Sequence, residues 1–375
     1  MLKLYYLLLL LTSFNLCAQD SIYTLGWHQL IPSTNLPKEF NIRNSNNNLD
    51  IIKYKKRYYV AFRTAPTHFA SKKTMTYIMS SLDFENWRYE NEFYVGADMR
   101  EPRFVIFKDC LYFYFFEGGK NMFRFQPKHI WMSSTFGNGK WSVKQNTGLN
   151  GYVPWRFKSH NDKIYLSAYY GIDLYKNKHK AELRLFTSHD GLSFTPISKE
   201  AQITTKGAEE GEFVFDNEGN LWATIRLEGS GSYIVFASKD SLHIWQHWFS
   251  KHKYDSALMF EHNDEIYVIA RRHIKGPATD VEIPSAAQRR NNLIKYSFSK
   301  KYTAIYKLDK KNYCLNHLFD FPSTGDNAFP GIAKIDNNSY YLLNYSSDIH
   351  KKEKNWITGQ FGKTFIYSTI LTFKK

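Results

Sequence analysis

Three runs that read as buried strands stop on a permanent cation: "YYVAFR" on Arg63, "LWATIR" on Arg226 and "IYVIAR" on Arg271. Arginine is always charged, and its planar fork grips carboxylate, sulfate or phosphate through two parallel hydrogen bonds. Arginines at equivalent positions are either a receptor for an anionic ligand or ties to neighbouring carboxylates. Carboxylates that could tie them stand just before the strands: Asp98 and Glu101, Glu210, Asp255 and, nearby, Asp326. Both readings stand for Arg63. Arg226 and Arg271, on consecutive repeats at one position, favour the ligand. Two roles are open to Glu210: partner of Arg226, or a base lifted in pKa by burial. In "RTAPTHFASKK" (63–73), His68 is the one titratable side chain besides arginine and lysine. It is a structural hydrogen-bonder or a general acid. Asp98, Glu101 and, in "PSTGDNAFPG" (322–331), Asp326 are the other acid candidates. No Gly-rich phosphate loop, His-Glu-x-x-His, Cys-x-x-Cys or Gly-x-Ser-x-Gly element occurs, so no cofactor or metal is implied.

The elements that must hold these residues come from a repeat. "LDIIKYKKRYYVAFR" (49–63), "PRFVIFKDCLYFYFF" (102–116) and "WRFKSHNDKIYLSAY" (155–169) share an apolar run, a polar turn and an aromatic-rich run. "EFVFDNEGNLWATIR" (212–226), "ALMFEHNDEIYVIAR" (257–271) and "GIAKIDNNSYYLLNY" (331–345) repeat it without a gap. Alternation and turn chemistry make each a β-hairpin. A third run and a turn tag follow several hairpins, as Ser81, Asp83 and Trp87 or Ser188, Asp190 and Phe194. Asp and Ser side chains there bond turn amides. Six such units predict an all-β, six-bladed β-propeller with four-stranded antiparallel blades. The segment around "LGWHQLI" (25–31) supplies the outer strand of the last blade. Residues 276–292 and 350–363 read as long loops. The aligned copies end on Arg63, Phe116, Tyr169, Arg226, Arg271 and Tyr345, which the ring places on one face beside the central channel. Tyr169 and Tyr345, with Asp255 and Asp326, thereby join the arginines as candidate ligand-binding residues.

The remaining composition sets the address and the partners. The 375 residues include 27 Tyr, 29 Phe and 9 Trp, a bias towards pleated, half-buried surfaces. The net charge of +15 is a solvated lysine surface or an attraction to anionic partners. No nucleic-acid module or compact basic helix accompanies it. "MLKLYYLLLLLTSFNLCAQD" predicts a signal peptide over 1–18, cleaved after Ala18, with a secreted or periplasmic propeller over 19–375. Its apolar run is too short for a membrane span. Cys110 and Cys314 then remain, with no metal-ligand spacing and no disulfide framework.

The turn tags, the six repeats and "EEGEFVFDNEGNLWATIR" (209–226) resemble the sialidase superfamily, with its Asp-box turns and arginine triad. The resemblance implies an exo-acting glycosidase for an acidic or sialylated glycan. Glu210 stands where the family's glutamate activates a tyrosine nucleophile, and Arg226 and Arg271 take two places of the triad. Arg43 in "NIRNSN" falls near the third, and Arg63 matches a further rim arginine. Glu101 in "REPRF" replaces an aspartate of the second blade. Two positions depart from the pattern. No carboxylate follows Arg63, where the family carries its acid, and Phe329 occupies the place of the nucleophilic tyrosine. These departures support the alternative, a lectin-like propeller that binds carbohydrate without turnover.

Overall fold

The computed structural model describes residues 21–122, 125–171, 181–277 and 279–374. The leader and Cys17 lie outside them. Six antiparallel sheets follow one another along the chain. Blade 1 comprises Ser45–Tyr54, Arg57–Ala65, Met75–Ser81 and Arg88–Phe93; blade 2 runs from Asp98 to Asn146. Blade 3 begins at Tyr152 and its third strand, Ala181–Ser188, is flanked by two short pieces, Thr195–Pro196 and Ile203–Thr205. Blade 4 spans Ala208 to Ser250, and blade 5 spans Asp255 to Phe321. Blade 6 takes Asn327–Lys334, Ser339–Ser346 and Phe365–Phe373 from the end of the chain. Ile22–Thr24 and His28–Ile31 pair with Phe365–Phe373 and close the ring. First strands pack against one another around the circle. The protein is a six-bladed β-propeller.

Aromatic residues fill the wedge between blades. Tyr114 stacks on Phe157 with centroids 4.0 Å apart, Phe84 on Tyr341 at 3.9 Å and Trp248 on Tyr313 at 3.5 Å. Such pairs contribute about 0.5–1.5 kcal/mol each beyond the area they bury. The turn tags follow their chemistry: Asp83 accepts from the amides of Glu85 and Asn86 at 3.0 and 2.8 Å, and Asp190 repeats this with Leu192 and Ser193, both at 2.8 Å. Cys110 and Cys314 are free thiols in blades 2 and 5. No helix among the described residues is long and apolar enough to cross a membrane.

Two stretches expected as loops carry helices. Ala286–Ser297 starts inside 276–292, with Ser285 and Gln288 forming a reciprocal capping box. Trp356–Gln360 lies inside 350–363, capped by Asn355. The two helices touch one another, and each brings a side chain to Arg271 near the end of the second strand of blade 5: the Tyr296 hydroxyl at 3.4 Å and the Trp356 ring at 5.6 Å.

Candidate functional site

The hub is shaped by one defect repeated six times. Every first strand carries a one-residue bulge: between Asn47 and Leu49, Arg100 and Arg103, Pro154 and Arg156, Glu209 and Glu212, Asp255 and Leu258, and Ala328 and Gly331. In five blades the residue before the bulge pairs with the last residue of the aligned copy, Arg63, Phe116, Arg226, Arg271 or Tyr345, and in blade 3 Tyr169 pairs one residue earlier, with Val153. In five blades the bulge holds a non-glycine residue at positive φ: Asn48 (43°), Glu101 (52°), Glu210 (50°), Ser256 (51°) and Phe329 (56°). A bulge re-aims a side chain out of strict alternation. All five of these side chains line one cavity of about 180 Å³.

Arg226 and Arg271 face that same cavity, with Tyr169, Tyr345, His68 and Arg100. Trp356 and Gln360 reach it from the short helix of blade 6. Phe329 and Trp155 meet edge to face at 5.3 Å beneath it, and the buried Arg103 guanidinium lies 4.3 Å from the Phe329 ring. This aromatic and cationic layer forms the floor.

Each arginine has a different surrounding. Arg226 donates to Glu210 Oε1 at 2.6 Å and to Glu209, and its Nε is 3.3 Å from Glu228. Burial opposes its charge, and Glu210, Glu209 and Glu228 more than offset that. Arg271 instead places Nε and one terminal nitrogen on a single backbone carbonyl, Asn327 O, at 2.9 and 2.6 Å. Its nearest carboxylate, Asp255, is 3.8 Å away and shared with Lys253 at 3.4 Å and with the Tyr296 hydroxyl. Arg271 therefore carries the less neutralised charge of the two. Arg100 donates to Asp98 at 2.6 Å and to the His68 carbonyl at 2.7 Å.

The carboxylates divide in the same way. Burial pushes Glu101 up to about 7, and the Arg103 guanidinium at 3.9 Å offsets only part of this. Asn48 donates to Glu101 Oε2 at 3.2 Å. Burial also raises Glu210, against the pull of Arg226. Both oxygens of Glu210 are engaged: Oε1 by Arg226 and Oε2 by the Ser256 amide at 2.7 Å. His68 Nδ1 lies 2.6 Å from Asp326 Oδ2, and Asp326 Oδ1 accepts the Tyr345 hydroxyl at 3.0 Å.

Five expected site residues stand behind the wall. Arg63 is fully buried and binds Asp98 at 2.9 and 2.7 Å, Asn47 at 3.0 Å and the carbonyl of Phe69 at 3.2 Å. The loop after its strand folds back over it, which converts a rim arginine into a tie between blades 1 and 2. Asp98 is sealed between Arg63 and Arg100 and has no access to a ligand. Asp255 and Asp326 are fully buried and touch the cavity only through the side chains they hold. Arg43 does not line the cavity; its amide is fixed by Thr64 at 2.8 Å. Arg100, Ser256, Trp356 and Gln360 line it without having been singled out from the sequence. For Arg100 a signal existed, since it opens the "REPRF" run that carries Glu101.

No family model and no curated protein matches the sequence. Solved structures do share the architecture. A protein of unknown function from Dyadobacter fermentans superposes with a TM-score of 0.65 at 13% identity, over 94% of this chain and 99% of that one. Trypanosoma rangeli sialidase in complex with sialic acid gives 0.58 at 12% identity, over 88% of this chain and 54% of that one. A Hadza microbial sialidase gives 0.55 at 9% identity, over 88% and 66%. The fold is that of the sialidase propellers. The chain spans about half the length of the trypanosomal sialidase. The first strand of blade 6 delivers Phe329 to the hub, so no hydroxyl is presented from that strand.

Proposed function

We propose that this sialidase-like propeller is an exported, exo-acting glycoside hydrolase that draws the terminal acidic sugar of a glycan into its hub. The observation that carries the reading is the meeting of Arg100, Arg226 and Arg271 with Glu101 and Glu210 around one cavity. At about 180 Å³ the cavity is smaller than the ~300–1,000 Å³ of sites for drug-sized ligands, which suits a single terminal residue. Arg271, the least neutralised cation, receives the sugar's anionic group, with Trp356 and Tyr169 against the ring. Glu101, protonated near neutrality, supplies a proton to the leaving oxygen. Arg226 fixes Glu209 and Glu210 and keeps the acidic side of the pocket in place.

Fluorogenic glycosides of acidic sugars, with their neutral counterparts, test this. The acidic compounds are turned over, Glu101→Gln abolishes turnover, and Arg271→Ala weakens binding by at least ~30-fold, the equivalent of about 2 kcal/mol. Equal turnover of the neutral compounds refutes the anionic substrate. A lectin-like role is the second reading, favoured by Phe329 at the position of the family's nucleophile. Its outcome is binding that Arg271→Ala weakens, with no turnover by the unaltered protein.

A further inference from the structure

We infer that His68, held by Asp326, is the base that activates water in a single-displacement hydrolysis, so the anomeric configuration inverts. The inference rests on the hydrolase reading above and adds its stereochemistry. It follows from asking which groups at the cavity can attack or accept a proton. Phe329 has no oxygen. The Tyr345 hydroxyl donates to Asp326 at 3.0 Å, and burial with Asp326 beside it holds its pKa well above the ordinary tyrosine value. Glu210 has both oxygens on protein donors, Arg226 and the Ser256 amide. Glu101 keeps its proton to about pH 7 and serves as the acid.

His68 is the group built for the remaining role. It lies on the loop between the second and third strands of blade 1 and lines the cavity. Asp326 Oδ2 receives Nδ1–H at 2.6 Å, which fixes the tautomer with Nε2 as the lone-pair nitrogen. Among the described residues Nε2 makes no hydrogen bond. Asp326 is itself held by Tyr345 on its other oxygen and by the Ser347 hydroxyl at its amide, at 3.3 Å. The groups around the imidazole are Asp326 from blade 6, Asn47 at 3.5 Å from blade 1, and the Arg63 and Arg100 guanidinium groups on the His68 carbonyl. Burial lowers the His68 pKa, Arg100 and Arg63 act in the same sense, and Asp326 opposes them. The ring is therefore neutral at neutral pH, the state a base requires.

In the step, a lone pair of the water oxygen forms the new bond to the anomeric carbon as the glycosidic C–O bond breaks. The bonding pair leaves with the glycosidic oxygen, which takes the proton of Glu101. The water proton passes to His68 Nε2. Water is added across the bond and no redox change occurs. His68 then releases its proton to solvent, and Glu101 takes one up.

Proton NMR at the start of turnover of an acidic glycoside reads the first-formed anomer, and inversion is expected. His68→Gln is expected to lower kcat by about 10²–10⁴-fold with little change in KM. It also removes the acidic limb of the pH profile, which a merely structural histidine does not control. His68→Gly with added azide or formate regains turnover. Thermal midpoints establish that the variants are folded, and the rescue of His68→Gly holds the test even if His68→Gln is destabilised. A retained anomer, or His68→Gln at the original kcat, overturns this inference and leaves the hydrolase standing. An unsaturated product, seen as new ultraviolet absorbance, overturns both by making the reaction an elimination. Failure of the unaltered protein to turn over any acidic glycoside refutes the hydrolase and this inference together.

Discussion

Glu101→Gln should stabilise the protein while it removes turnover. Glu101 is 7% exposed, and burial raises its pKa from 4.5 to about 7. The folded state thus holds a proton that the unfolded chain has lost between those two values. Stability then falls as pH rises through the window from 4.5 to about 7, and the full penalty is present above it. At 1.36 kcal/mol per unit the penalty is about 3 kcal/mol. Glutamine is isosteric and uncharged, retains an acceptor for Asn48, and leaves the left-handed backbone at φ 52° as it was. The variant should therefore be up to about 3 kcal/mol more stable than the parent at pH 8 and equal to it at pH 4.5. Chemical denaturation of both proteins at the two pH values measures this as a shift in midpoint at constant slope. A loss of stability at pH 8, or the same difference at both pH values, refutes the reasoning, because it would mean that Glu101 is ionised and paired.

Arg63→Met should cost about 3–5 kcal/mol, read as a lowered thermal midpoint, because it leaves the buried Asp98 with Arg100 as its remaining cation and the Thr74 hydroxyl as its remaining donor on Oδ1. Gly359→Ala should lower both kcat and stability, the latter by about 1–3 kcal/mol, read as a lowered thermal midpoint. A Cβ there would stand 2.1 Å from the Asp326 amide and 2.6 Å from the Gly325 carbonyl carbon, so the strand start that holds Asp326 against His68 must move. Ser285→Ala should cost about 1 kcal/mol of helix stability and speed amide exchange over 286–297, with little effect on the blades. Finally, kcat/KM should follow a narrow bell. It rises as His68 loses its proton below the ordinary 6.5 and falls as Glu101 loses its own near 7. A flat profile from pH 5 to 9 removes these residues from the chemistry.

The ring was legible because its signal is repeated. Strand alternation and polar turns recur in register, and the ends of five of the six aligned runs fall opposite the residue before a bulge, with Tyr169 of blade 3 one position away. The helix over 286–297 was less legible. It buries only Asn292 and Tyr296, so its apolar periodicity is weak, although Ser285 and Gln288 carry a readable capping pair. Arg63 shows the limit of register alone. It shares its position with Arg226 and Arg271, and what separates it is a loop whose carbonyls fold back onto it.

The bulges explain why the site itself was only half readable. Strict alternation sends Glu209 and Glu210 to opposite faces, yet both bind Arg226, because residue 210 adopts a left-handed conformation that turns its side chain to the hub. Such backbone costs about 1–3 kcal/mol per residue away from glycine. The five strained bulge residues are Asn, Glu, Glu, Ser and Phe, so no common residue type marks the position. What they share is the cavity: each lines it. Blade 3, whose bulge carries Pro154 and Trp155 with no positive φ, contributes its bulge residue to the floor instead. Among the bulge residues, positive φ thus falls on the five that line the hollow and not on Trp155, which packs under Phe329 without lining it. That distribution is what a binding site set into a stable ring requires, since cross-blade packing must hold those five residues against their backbone preference.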